Sequence, residues 1–241
     1  MRYCCAVFFL MLSGCAGKLT FSDDFQYREI STPQYTIVTY QRILDATQPI
    51  HIYIEGDGNA FNNRGQPTRN PTPRGESFRN LAMSDTHPNV VYMARPCQYV
   101  MSDACNTIDW TDGRFSERII DSMSFAIKSI SSGRPVVLIG YSGGAMVSGL
   151  VIERTPDLNV THWITIAGVL NHADWTSYFK DTPLSASLSM NELPQINQSH
   201  YIIDGDKIVP NALSFKWIAP RPAHLITNAT HSEFSNIELD F

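Results

Sequence analysis

The chain has 241 residues, 43% of them hydrophobic and 11% aromatic, which is enough to bury one substantial core in a single α/β domain. Its formal net charge is -5, with 18 Lys and Arg against 23 Asp and Glu and no basic block. That balance argues against nucleic acid as a partner, because contacts to phosphates need an excess of cations.

In chain order, the first fifteen residues read as a secretory signal. Arg2 gives a positive start, Tyr3 to Leu12 is an apolar run too short to span a bilayer as a helix, and small residues follow. Leu12-Ser13-Gly14-Cys15 resembles a bacterial lipobox, whose cysteine becomes the first mature residue and carries the lipid. The resemblance implies a lipid-anchored protein of the cell envelope, and Ala16 after the cysteine implies the outer membrane, facing the periplasm. Cys4 and Cys5 leave with the signal and Cys15 is lipidated. Cys97 and Cys105 then remain in an oxidising compartment and are expected to pair, their segment having too few Cys or His for a metal site. Residues 16 to 30 are polar and weakly patterned, a tether, leaving 31 to 241 as the folded domain.

Tyr35 to Tyr40 alternates and is rich in β-formers, predicting a half-exposed strand; His51 to Ile54 predicts a second. The second strand runs into Glu55-Gly56-Asp57-Gly58, a glycine-bracketed turn where backbone N–H groups can approach a substrate unobstructed. Asp57 or Gly58 is the candidate donor. The two carboxylates, Glu55 and Asp57, are too few to hold a metal. Asn59 to Gly75 is rich in Asn, Arg, Pro and Gly and too long for an idle connection, which suggests a lid or a substrate wall. Glu76 to Met83 predicts a helix, Val90 to Ala94 a buried strand, and Arg114 to Ile130 an amphipathic helix with Ile119, Ile120, Met123, Ile127 and Ile130 on one face.

Val136 to Ile139 is four apolar residues entered through Pro135, a strand buried on both faces. It ends in Gly140-Tyr141-Ser142-Gly143-Gly144, the G-x-S-x-G pattern of a nucleophile elbow. A strand-to-helix turn this tight lifts Ser142 out of the sheet, while the N–H of Gly143 opens the next helix and points where an oxyanion would form. Trp163 to Ala167 is the next apolar run, Asp174-Trp175 and Leu184 to Ser189 fall in the connection after it, and Tyr201 to Ile203 is a late strand. The alternation of strands and helices predicts a parallel sheet covered on both faces.

These blocks resemble the α/β-hydrolase superfamily over most of the chain after the signal. The resemblance rests on the elbow, on Asp206-Lys207-Ile208-Val209-Pro210 after a late strand, and on a histidine near the C-terminal end. Glu55 to Gly58, Ala167 to His172 with Trp175, Pro183-Leu184 and Ser187-Leu188 are similar to a poorly characterised bacterial lipoprotein subgroup, though Leu170-Asn171 stands where Asn then Leu is usual. The resemblance implies an α/β fold with a mostly parallel sheet, and it places the catalytic acid at Asp206, which begins the block, and not at Asp204. The order Ser142, Asp206, His231 is that of this fold. Among the other histidines, His51 and His162 start strands, His87 and His172 lie in loops, and His200 opens the strand before Asp206. His224 is the rival base; it begins the last apolar run, whereas His231 follows it in a loop that can face both serine and aspartate.

The expected function is a lipid-anchored serine hydrolase of small acyl substrates, esters first, with thioesters and peptides within reach of the same machinery. Ser142 attacks, His231 takes its proton, Asp206 orients the imidazole, and the N–H groups of Gly143 and of Asp57 or Gly58 hold the oxyanion, with no metal or organic cofactor. The alternative is an inactive hydrolase-fold lipoprotein that binds and does not cleave.

Overall fold

In a computed structural model of the protein, residues 20–235 and 237–241 are described. The expected signal over 1–15, with Cys15, and residues 16–19 of the expected tether lie outside them. The chain forms β1 (Gln26–Ser31), β2 (Thr36–Ile43), β3 (Ile50–Ile54), α1 (Ser77–Ser84), β4 (Asn89–Met93), α2 (Glu117–Ser131) and β5 (Val136–Tyr141). It continues with α3 (Gly143–Arg154), β6 (Val160–Ile166), α4 (His172–Phe179), β7 (Asn197–Ile203), α5 (Asn211–Ile218) and β8 (Ala223–Ile226).

The eight strands make one sheet in the order β1-β2-β4-β3-β5-β6-β7-β8. β2 pairs antiparallel with β1 and β4; every other pairing is parallel. Because successive side chains point to opposite faces, a strand sandwiched between layers must be apolar at every position. β5 meets that demand from Val136 to Ile139, and β3 does so at every position but His51, which pairs with Asp85: Ile50, Ile52, Ile54, Val136 and Leu138 join one buried cluster, and Tyr53, Val137 and Ile139 the other. The first cluster is closed by Ile120, Met123 and Ile127 of α2 and Met146, Val147 and Leu150 of α3, the second by Phe78 and Leu81 of α1. Helices therefore cover both faces.

Four elements depart from the expectations. Gln26–Ser31, expected as the end of the tether, is an edge strand, and Phe25 before it is buried. Its side chains are almost all exposed, so no alternation of polarity marks it. α4 is a two-turn helix in a stretch expected as a connection, and α5 is a two-turn helix over residues for which no element was expected. α2 begins at Glu117 and not at Arg114, which leaves Arg114 in the preceding turn with its side chain buried.

Cys97 and Cys105 are joined in a disulfide, with Cα atoms 5.7 Å apart, in the segment after β4. Closing so short a loop removes unfolded-state freedom worth roughly 2 to 3 kcal/mol. Cys97 packs in a small apolar cluster with Tyr35, Ala60, Trp110 and Ile119.

Candidate active site

The central strands run parallel, so the turns that follow β3, β5 and β7 open on the same edge of the sheet. Ser142 sits between β5 and α3 with φ 51° and ψ -121°, a conformation that a side-chain-bearing residue adopts only when its surroundings enforce it. They do. A Cβ at Gly140 would fall 2.5 Å from the Gly144 carbonyl oxygen, and one at Gly144 would fall 2.3 Å from that of Ile54. The backbone of Ser142 is also pinned, its N–H donating to Ile166 and its carbonyl accepting from Val169, both at 3.0 Å.

His231 reaches this serine from the loop after β8. Its Nε2 lies 3.0 Å from Ser142 Oγ and its Nδ1 lies 2.7 Å from Asp206 Oδ2. A carboxylate oxygen accepts, so Nδ1 carries the hydrogen and Nε2 turns its lone pair to the serine hydroxyl. The Asp206 side chain is fully buried, and its other oxygen accepts from the N–H groups of Ile208 and Val209 at 2.7 and 3.1 Å. The residues after Asp206 thus form a backbone cradle for it. Asp204 is exposed and accepts from Asn211. Tyr141 donates from its hydroxyl to the His231 carbonyl, so the residue beside the nucleophile also holds the loop that carries the histidine. His224 lies apart, stacked on Tyr201 and facing Asp240 at 3.4 Å. His51 pairs with Asp85 and His162 with Ser199, and both line a hollow at the opposite edge of the sheet.

The triad opens on a cavity of about 400 Å³. Ala60, Phe61, Pro73, Arg74 and Gly75 line it, so the segment 59–75 is a wall of the site, folded back on itself by a bridge between Phe61 and Pro67. Phe78, Phe115, Val169, His172, Trp175 and Ile208 complete an apolar lining.

No protein-family description and no curated protein sequence matches the chain. Solved structures do. A serine hydrolase without a lid from Xanthomonas campestris is 12% identical with a TM-score of 0.56, over 90% of this chain and 89% of that one. An α/β serine hydrolase homologue from Coxiella burnetii is 13% identical with a TM-score of 0.56, over 89% and 91%. The thioesterase domain from the curacin biosynthetic pathway is 12% identical with a TM-score of 0.57, over 86% and 94%. The protein has the α/β-hydrolase fold.

The turn after β3 is the stretch where the second oxyanion donor was expected. A Cβ at Gly56 would lie 3.0 Å from Ser142 Cβ, so this turn passes directly beside the nucleophile. Asp57 lies against Gly143, where an added Cβ would meet its Oδ1 at 2.1 Å. Gly58, with φ +62°, turns instead toward Pro71, whose carbonyl oxygen stands 2.2 Å from where its Cβ would be. Of the two candidate residues, Asp57 is the one whose side chain lies against Gly143. The first N–H groups of a helix have no carbonyl behind them, which leaves that of Gly143 free for a ligand.

Sequence reasoning missed the residues that hold this turn. Arg95 and Arg114, both buried, converge on the Asp57 carboxylate, Arg95 through Nη1 and Arg114 through Nε at 3.2 Å. Burial alone would push the Asp57 carboxyl up, but Arg114 and Arg95 outweigh it and hold it below the ordinary range. Gln98 donates to the Gly56 carbonyl at 2.9 Å, which ties the turn to the disulfide-closed segment. Among the described residues no three His, Cys, Asp or Glu side chains converge as a metal site would require.

Glu55 is not a solvated loop residue. It is buried, accepting from Gly56 N–H at 2.8 Å and from the Tyr92 hydroxyl at 3.0 Å, and burial pushes its carboxyl up to about 7 from the ordinary 4.5. With the folded value above the unfolded one, its stabilising contribution is complete below about pH 4.5 and is lost as pH rises through about 7. Glu55→Gln should remove that loss. Urea unfolding at pH 5 and pH 8 should show the variant gaining on wild type by roughly 3 kcal/mol across the interval. Parallel behaviour of the two proteins would show that Glu55 is charged in both states.

Proposed function

We propose that the protein is a serine hydrolase that cleaves small acyl substrates, with carboxylic esters as the leading class. The reading is carried by the unbroken line Asp206 Oδ2, His231 Nδ1, His231 Nε2, Ser142 Oγ, at 2.7 and 3.0 Å, at the mouth of an apolar cavity. Ser142 Oγ attacks the acyl carbon as His231 Nε2 takes its proton. The imidazolium is stabilised by Asp206, and the oxyanion by the N–H groups of Gly143 and Asp57. The leaving group departs with the proton from Nε2, and a water activated by the same nitrogen releases the acid and restores the serine. The fold supports this chemistry without requiring it. Wild-type protein treated with a fluorophosphonate should be labelled at Ser142 in a peptide map, and His224→Ala, remote from the line, should label and turn over esters as wild type does. Folded protein that neither labels nor hydrolyses any activated ester above background would establish the binding-protein alternative instead.

We also propose that Cys15 is acylated and holds the enzyme on the outer membrane, facing the periplasm. The support is the lipobox Leu12-Ser13-Gly14-Cys15, followed by Ala16. Fractionated cells should yield the wild-type chain with membranes and the Cys15→Ala chain without its lipid; an unchanged modified product would remove the proposal.

A further inference from the structure

The clamp on Asp57 is unbalanced, with one carboxylate facing two arginines whose side chains are 5% and 7% exposed. Arg95 has both terminal nitrogens engaged, Nη1 on Asp57 and Nη2 on the Arg114 carbonyl. Arg114 does not. Its buried Nε meets Asp57 without a hydrogen-bonding alignment, and its Nη1 has one long contact of 3.4 Å with the Thr111 carbonyl. Its Nη2 has no hydrogen-bond partner among the described residues. A guanidinium carries five N–H donors in a fixed plane; here only Nε is a fully buried atom without a partner, and the donors of Nη2 are left for whatever enters the cavity that Arg114 lines.

What it faces is the cavity of the triad. The Arg114 guanidinium lies 5.7 to 5.9 Å from the ring centres of Phe61, Phe115 and Trp175 and lines the same space as Ser142 and His231. The other carboxyl in that lining, Glu55, is occupied by Gly56 and Tyr92 and pairs with neither arginine among the described residues. Arg74, exposed in the wall, adds a second positive charge.

Resting on the hydrolase reading, we propose that Arg114 is the docking point for an oxyanion on the substrate. The preferred ester then carries a carboxylate at the far end of a short aliphatic acyl chain. A planar guanidinium matches a carboxylate with two parallel hydrogen bonds, and the three surrounding rings offer apolar surface to the methylenes. The cavity of about 400 Å³ has room for such a chain between Arg114 and Ser142.

The test compares 4-nitrophenyl hydrogen glutarate with its methyl-capped neutral isostere and with the analogue ending in a phosphonate. Wild type should show a kcat/KM at least tenfold higher for the carboxylate ester than for the capped one, and Arg114→Gln should abolish the preference. A greater preference for the phosphonate would assign the site to phosphate-bearing substrates and overturn the carboxylate assignment. Calorimetry on Ser142→Ala supplies a readout free of turnover and of any folding defect in the arginine variant; the carboxylate ester should bind at least tenfold more tightly than the capped one. Equal or weaker binding of the charged ester overturns the proposal even if Ser142 is fully reactive. Tight charged binding with no labelling or turnover in wild type would instead remove the hydrolase reading and leave Arg114 as an anion site.

Discussion

Turnover of an activated ester by the Ser142→Ala variant is expected to fall by about 10⁴- to 10⁶-fold, with the fold intact. The side chain is small and already 8% exposed, so truncating it leaves the packing of the elbow unchanged and removes only the nucleophile. Asp206→Asn and His231→Ala should be severely impaired by a different route. In Asp206→Asn the single amide oxygen is claimed by the Ile208 and Val209 N–H groups, so the NH2 faces His231 Nδ1 and cannot accept its hydrogen, and the alanine leaves no acceptor for the serine proton. Because the three act as a unit, the triple variant should be little worse than the worst single one. Progress curves at high enzyme concentration measure this directly. A Ser142→Ala protein within about tenfold of wild type would place the chemistry elsewhere and defeat the assignment.

Gly140→Ala is expected to cost about 3 kcal/mol of stability, near the upper end of what a single added methyl imposes. The new Cβ would meet the Gly144 carbonyl oxygen at 2.5 Å and Ala145 Cα at 2.6 Å, both backbone atoms of the first turn of α3. No rotamer change relieves that overlap; α3 must move off β5, and Ser142 lies between them. For a domain whose total stability is typically about 5 to 15 kcal/mol, the loss is a large share, and the folded remainder should be poorly active. Gly75→Ala is the control, since its Cβ would meet only the Ser232 carbonyl oxygen, at 3.9 Å. Urea midpoints of the two variants that shift equally would show that the elbow is looser than these distances require.

The buried strands were legible because a strand covered on both faces has no polar positions, and runs such as Val136 to Ile139 stand out in any window. The elbow was legible for a related reason, as only glycine fits where Gly140 and Gly144 touch backbone. β1 was illegible because hydrogen bonds to β2, and not burial of its side chains, make it a strand. Arg95 and Arg114 were illegible because a charged residue in a sequence reads as surface. Their burial depends on Asp57, some forty and sixty positions away, and nothing local announces that partner. Arg114 also stood three residues before the true start of α2, where helical periodicity assigned it to the wrong element. The choice of His231 over His224 was legible from position, since His224 begins the last apolar run and His231 follows it in a loop free to face the serine.

The Cys97–Cys105 bridge divides the site into two parts with different dependence on oxidation. Arg95 and Gln98 flank Cys97 and are the side chains that grip Asp57 and the Gly56 carbonyl, whereas Ser142, Asp206 and His231 hang from β5, β7 and the segment after β8. Protein made in a reducing cytosol would therefore carry an intact triad beside a slackened turn at Gly56 and Asp57. Its histidine and serine would still be in line, while the rate at which each molecule turns over had already declined.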